Sequence, residues 1–317
     1  MSKTETRAGL TVKPLEGVRF GVEVLGLVPR EMTDPQRDAI WDLYRERHGL
    51  LCFTFGRLLE RDELHTLTSV FGENEYGPGK INGIGKKAVP GEERLTVEEQ
   101  VAALEAKGVD PFIAYIGNLE HDTLKRKPTE KKFFDEWEWH TDMSYIEVPP
   151  TFRLLHSRVI PEEGGDTSFC SQVMAAKALP VDLREKLREL SAKHDSTYGS
   201  SGQIRPGMTP PASPVEALGQ VHPILRKVPT TGEEAIYLGR RTNGYIIGLP
   251  LEESEALLDE LWAHSTKPEF CYRHKWREGQ VIAWDNRMLL HMRHPVDDTL
   301  DRFMWRTQTK GEAVVPV

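Results

Sequence analysis

The run "PEFCYRHKWREGQVIAWDNRMLLHMRHPVDDTLDRFMWRTQT", residues 268–309, reads as β structure along most of its length. Three short segments in it, "EFCYRHKW", "QVIAWD" and "DRFMWRTQT", are rich in aromatic and β-favouring residues. Turn residues separate them, Gly279 first and the Pro295–Asp298 stretch second.

The same signature recurs towards the N-terminus. "EEAIYLGR" (233–240), "TFRLLHSRVI" (151–160), "PFIAYIGN" (111–118) and "GLLCFTF" (49–55) read as strands, and "VRFGVEVLG" (18–26) alternates as a half-buried one does. Helical patterns lie between them. "DPQRDAIWDLYRERHG" (34–49) opens with Asp34 as cap and Pro35 at the first helical position. Leu64, Leu67, Val70 and Phe71 form a stripe, "VDLREKLRELSAK" (181–193) reads as a helix, and "LEESEALLDELWAHS" (251–265) turns Leu257, Leu258, Leu261 and Trp262 inward. Many short strands with helices outside them predict a sandwich or jelly roll. Helices and strands do not alternate regularly, which argues against a doubly wound sheet.

The chain of 317 residues is long enough for a sizeable core, and 38% hydrophobic with 28% charged residues marks an ordinary globular protein. A net charge of −8 argues against nucleic acid as a partner. No run reaches the roughly 18 apolar residues of a membrane span, and the first ten residues lack the apolar stretch of a signal peptide. Cys52, Cys170 and Cys271, odd in number and set in apolar sequence, read as reduced core residues. The expectation is a cytoplasmic protein with no membrane partner, forming one domain over 1–317, with a short disordered N-terminus at 1–9. Residues 73–111 are charged and Gly-rich, an excursion from the core that reads as a lid or insertion. Within it "GIGKKA" (83–88) fits a loose nucleotide-loop pattern but has neither the preceding strand nor the following helix.

The chemistry starts at "WEWHTDMSY", residues 137–145. His140 and Asp142, two apart on an extended segment, project to one face. An imidazole and a carboxylate there are two of the three ligands of a facial triad for non-haem Fe(II). With 11 histidines in the chain such a pair arises by chance about once, so alone it decides little. His291, at the end of "VIAWDNRMLLH", is a candidate third ligand, with His294 its rival. Arg302 and Arg306, four apart on a predicted strand, share a face roughly 13 Å apart. Two inward arginines are costly unless each meets an anion.

"WHTDMSYIEVPPTFRLL", "PEEGGDTSF", "KPEFCYRHKW" and "WDNRMLLH…DRFMWRTQT", in that order and spacing, resemble the TauD/TfdA family of Fe(II)/2-oxoglutarate-dependent dioxygenases. The resemblance runs from about residue 14 to 311. It implies a double-stranded β-helix (a jelly roll, cupin-like) with helices outside, Fe(II) as metal, and 2-oxoglutarate and O2 as cosubstrates. It also implies hydroxylation, with bond cleavage where the oxidised carbon bears oxygen, nitrogen or sulfur. His140, Asp142 and His291 match the iron ligands, while Thr167 and Arg302 match the residues that hold the far carboxylate of 2-oxoglutarate. Arg306 matches an arginine near the primary substrate, and Met143, Asn118 and Glu75 are expected beside it. Asp285 and Asn286 are expected to shape the turn before His291. Asp142 stands where halogenating relatives carry a small residue, which favours hydroxylation. Against the taurine-oxidising members, Glu75 and Glu136 add negative charge near the substrate. The expected substrate is a small organic acid and the expected assembly a homo-oligomer, dimer or tetramer. Two alternatives keep the same ligands: a metal-dependent hydrolase and a non-catalytic jelly-roll metal protein.

Overall fold

The computed structural model describes residues 4–77, 95–129, 131 and 134–317. "GIGKKA" and the rest of 78–94 within the expected lid lie outside the described residues.

The chain begins with β1 (Glu5–Arg7), β2 (Leu10–Pro14), β3 (Val22–Leu25), α1 (Asp34–Glu46), β4 (Leu50–Thr54) and α2 (Arg61–Ser69). It continues through α3 (Val97–Glu105), β5 (Ala114–Gly117), β6 (Phe152–Val159), β7 (Thr167–Ser171), α4 (Gln172–Lys177) and α5 (Val181–Arg188). Next come β8 (Ser191–Asp195), β9 (Gly219–Pro223), β10 (Leu225–Lys227), β11 (Glu234–Ile236), β12 (Tyr245–Ile246) and α6 (Leu251–Ser265). The last elements are β13 (Cys271–His274), β14 (Gln280–Asp285), β15 (Leu289–Arg293), β16 (Phe303–Gln308) and β17 (Val315–Pro316).

An eight-stranded sheet runs in the order β1-β2-β3-β4-β14-β6-β16-β5. The opposite wall is the three-stranded sheet β13-β7-β15. Side chains of the two walls meet: Phe169 on β7 lies 5.6 Å, ring to ring, from Trp284 on β14, which in turn lies 4.9 Å from His291 on β15. This is the jelly roll expected from the strand pattern. Strand β14 is buried along its whole length because it is flanked on both edges, by β4 and β6. One hydrophobic cluster fills the barrel and packs α1 and α2 against it; a second joins α4, α5 and α6 to β8, β10 and β12. Leu257, Leu258, Leu261 and Trp262 are inward, as the stripe on α6 required.

Four expectations need correction. Residues 5–7 are not disordered but pair with β2, because Ala8 and Gly9, with φ of 48° and 78°, make the two-residue turn that a right-twisted hairpin favours. The cap of α1 is Thr33, whose side chain and Gln36 satisfy each other's backbone N–H groups; Asp34 and Pro35 fall inside the first turn. The helix expected over 181–193 stops at Arg188, and Ser191–Asp195 instead pairs with β9 and β12, a non-local pairing that overrides local propensity. Cys170 and Cys271, far apart in sequence, sit directly opposite across β7 and β13 and form a disulfide, while Cys52 is free and buried. No helix among the described residues is long and apolar enough to cross a membrane.

Candidate active site

Backbone pairing brings the predicted ligands together. His140 donates its N–H to the carbonyl of His291 at 3.0 Å, and His291 returns the bond at 2.9 Å. Their rings lie 4.2 Å apart. The turn that carries Asp142 is held by Asn286, whose side-chain oxygen accepts from Asp142 N–H at 2.9 Å while its amide donates to the Asp142 carbonyl at 2.8 Å. Asn286 was expected only to shape its own turn; its reach across to Asp142 is set by strand register, which the sequence does not display.

The result is one buried cluster. Ligand atoms of His140, Asp142 and His291 all lie within 4.8 Å of one another, and among the described residues no other His, Cys, Asp and Glu group does this. His140 Nδ1 donates to the Glu138 carbonyl at 2.7 Å, since a carbonyl can only accept, and this leaves Nε2 with its lone pair. That Nε2 lies 3.8 Å from Asp142 Oδ1, and His291 Nε2 lies 3.6 Å from Asp142 Oδ2. Burial pushes the pKa of His291 down to about 4 and that of His140 well below its usual value, so both are neutral near pH 7. Burial would raise Asp142, but Arg153, then His291, Arg306 and His140, hold its carboxyl well below the usual range. Two imidazole nitrogens and one anionic oxygen, with Asp142 Oδ2 buried and without a hydrogen-bond partner, are a donor set that fits a divalent cation such as Fe(II). His294 does not join them: its Nε2 pairs with Ser168 Oγ at 2.7 Å.

A second group lies at the start of β16. Arg302 is buried, and of its side-chain nitrogens only Nη2 has a partner among the described residues, the Gly165 carbonyl at 3.3 Å; Nε and Nη1 have none. Burial, then neighbouring Arg293, pushes its pKa down to about 9, the mark of a cation short of counter-charge. Thr167 Oγ1 accepts from Trp276 Nε1 at 3.0 Å, which leaves its own hydroxyl hydrogen free to donate. Asn118, expected at the substrate, is instead engaged with backbone: it accepts from Arg302 N–H at 2.9 Å and donates to the Leu300 carbonyl at 2.8 Å. It positions Arg302.

Arg306 is half-buried and acts electrostatically on both Asp142 and His291. Glu75 is half-buried and accepts from Gln308 Nε2 at 2.7 Å; burial raises its pKa. Met143 follows Asp142 in a left-handed turn, φ 51°. Glu136 is exposed, with its carboxylate 3.6 Å from His294 Nδ1. The residue that sequence reasoning missed is Arg153, fully buried on β6 with Nε 3.3 Å from Asp142 Oδ2. The one available signal was an arginine alone in the apolar run "TFRLL".

The chain resembles known proteins. The model of the taurine catabolism dioxygenase TauD, TfdA family matches residues 11–308. An alpha-ketoglutarate-dependent 2,4-dichlorophenoxyacetate dioxygenase of Burkholderia sp. (strain RASC) is 28% identical over 299 residues, covering 90% of this chain and 87% of the relative. An (S)-phenoxypropionate/alpha-ketoglutarate-dioxygenase of Sphingobium herbicidovorans is 31% identical over 235 residues, covering 70% and 80% respectively. The crystal structure of a taurine dioxygenase from Burkholderia xenovorans superposes with a TM-score of 0.69 at 26% identity, covering 97% of this chain and 93% of that one.

Proposed function

The chain belongs to the TauD/TfdA family and is a 2-oxoglutarate-dependent dioxygenase, and from that premise we propose that it hydroxylates a small organic anion at a centre held by His140, Asp142 and His291. The reading rests on one observation, the convergence of two neutral imidazoles and one carboxylate in a buried cluster. Fe(II), when bound there with 2-oxoglutarate and O2, supplies the oxidative decarboxylation that releases succinate and CO2 and oxidises a substrate C–H bond. His140, Asp142 and His291 would be the protein ligands of that ion. Arg302, with two nitrogens lacking acceptors, and Thr167, with its free hydroxyl hydrogen, hold the far carboxylate of the cosubstrate. Phe169 and Trp284 pack against His291 and keep water from that side. Arg306 faces the substrate, with Met143 and Glu75 at the same end. Bond cleavage follows where the hydroxylated carbon bears oxygen, nitrogen or sulfur.

An anionic substrate is supported by the cationic surroundings of Asp142 and by the carboxylates and sulfonate named for the relatives. A cytoplasmic location, where 2-oxoglutarate is supplied, and assembly as a homo-oligomer belong to the same proposal. The test loads the protein with Fe(II) anaerobically, admits O2 with 2-oxoglutarate and a panel of organic acids, and follows oxygen and succinate together. Equal amounts of the two support the oxygenase. Turnover of a substrate without succinate would return the reading to a hydrolase, and no turnover at all to a non-catalytic metal protein.

A further inference from the structure

We propose that Arg226, Tyr237 and His194 form a binding site for a single halide ion, chloride, in the wall behind the turn that carries Asp142. The site is separate from the metal cluster and takes no part in the oxidation.

Register gathers the residues. On β8 and β9, Ala192 stands opposite His222 and His194 opposite Gln220, so His194 and His222 are diagonal neighbours on one face. On β10 and β11, Arg226 stands opposite Ala235, and Tyr237, two residues further on, shares that face. The Tyr237 ring lies at the centre. Its centroid is 4.8 Å from Arg226 Cζ, 5.2 Å from the His194 ring and 5.6 Å from the His222 ring. Gly239 closes the group, since a Cβ there would lie 2.3 Å from His194 Nδ1 and 2.7 Å from Ser144 Oγ. Side chains this close leave room for a single atom, not for a carboxylate, a phosphate or a sulfate.

The polar atoms here are mostly donors. Arg226 Nε and Nη2, Tyr237 Oη and both ring nitrogens of His194 are buried and complete no hydrogen bond within the described chain. Burial pushes the pKa of Tyr237 up to about 12, so the hydroxyl keeps its proton. Burial, then His222 and Arg226, hold His194 well below its usual value, so it is neutral and has one ring N–H to give. His222 is already engaged, its Nε2 donating to the Ile146 carbonyl at 3.0 Å. Donor groups set against one imidazole lone pair call for an acceptor.

Charge selects an anion over water. Arg226 is buried, and the carboxylates that act on it, Asp285 and Glu312, are both paired with Arg287. A water molecule would meet the donors and leave the guanidinium uncompensated; a halide does both. Arg226 comes from the sheet β11-β10-β17 and His194 from the sheet β12-β8-β9, so the ion joins two small sheets. Both sheets rest on the metal-bearing turn. Thr141 N–H donates to the Gly239 carbonyl at 2.9 Å, and His222 reaches Ile146 on the other side of Asp142.

The test uses the full chain with Mn(II) and 2-oxoglutarate, without oxygen. Crystals soaked in sodium bromide should give a bromine anomalous peak within hydrogen-bond reach of Arg226 and Tyr237 Oη. In solution the unfolding midpoint should be about 3 °C higher in sodium chloride than in sodium gluconate of the same ionic strength. Arg226→Gln should remove both the peak and the chloride increment. Tyr237→Phe should raise the chloride needed for half the increment about tenfold. Should Arg226→Gln fail to fold, the wild-type peak and the Tyr237→Phe titration decide. A wild type with no peak at Arg226 overturns the proposal, whether the space holds water or the bromide sits only at Arg302, Arg306 or the metal. So does a chloride increment that is absent from the wild type or unchanged in both variants.

Discussion

Arg287 and Arg302 are buried to nearly the same degree, yet their surroundings are opposite. Arg287 Nη2 reaches Asp285 Oδ2 at 2.6 Å and the hydroxyls of Tyr44 and Thr230 at 3.1 Å, its Nε reaches Asp285 Oδ1 at 2.9 Å, and its Nη1 pairs with Glu312. Burial works against its charge, but Asp285 more than offsets this and raises its pKa. Arg302 has a single carbonyl at 3.3 Å. A buried charge whose bonds are complete within the chain belongs to the architecture; one left incomplete marks where something else binds.

The largest effect expected from this contrast is at the triad. Asp142→Ala removes the only anionic ligand and should abolish both tight Fe(II) binding and succinate release, whereas His294→Ala should leave binding intact; anaerobic metal titration reads both. If His294→Ala alone eliminates binding, the ligand set is wrong. Next is Asp285→Ala, which removes the buried one of Arg287's two carboxylate partners, leaving the more exposed Glu312, and should cost about 3–5 kcal/mol of stability in denaturant unfolding. A variant as stable as the wild type would break the comparison. Arg302→Ala should do the reverse: 2-oxoglutarate binding weakens by about 2–5 kcal/mol, tens to thousands of fold, with stability unchanged or increased. An unchanged KM for 2-oxoglutarate would move the clamp elsewhere.

The smallest effect concerns a satisfied histidine. His156 Nδ1 donates to the Gln280 carbonyl at 3.0 Å, and its Nε2 accepts from Leu59 N–H at 3.1 Å. Burial pushes its pKa down to about 4. Below the unfolded value near 6.5 the unfolded chain takes up a proton that the native state refuses, so stability contributed by this residue is present above about pH 6.5 and lost as pH falls towards 4. The wild type should lose about 1 kcal/mol between pH 8 and pH 6 from this source, and a His156→Gln variant should not. Parallel pH dependence in the two proteins would remove His156 from the account.

Much of this was legible in the sequence, because hydrophobic periodicity is a local property. The strands from "GLLCFTF" to "DRFMWRTQT" and the inward face of α6 follow from it, and the triad was implied by the family resemblance that the four motifs carry. What escaped was register. That Cys170 faces Cys271, that Asn286 bonds both the N–H and the carbonyl of Asp142, and that Arg153 lies opposite Gln308 all depend on which strands become neighbours. His294, weighed as a rival ligand, and Asn118, expected beside the substrate, are used by the fold to hold Ser168 and the backbone of Arg302.

The position of β14 has a consequence for how the chain is made. This strand comes late in the sequence but sits between β4 and β6 in the middle of the large sheet. A nascent chain that has emerged only as far as β6 has two apolar strands with no neighbour between them, open edges of the kind that recruit other chains. His140 and Asp142 are then already synthesised, but the strand that supplies their third ligand has not yet been translated. Completion of the barrel and completion of the metal site therefore fall together at the end of translation, and protease protection of stalled chains of increasing length should rise in one step when β14, β15 and β16 have emerged, not gradually as each strand is added.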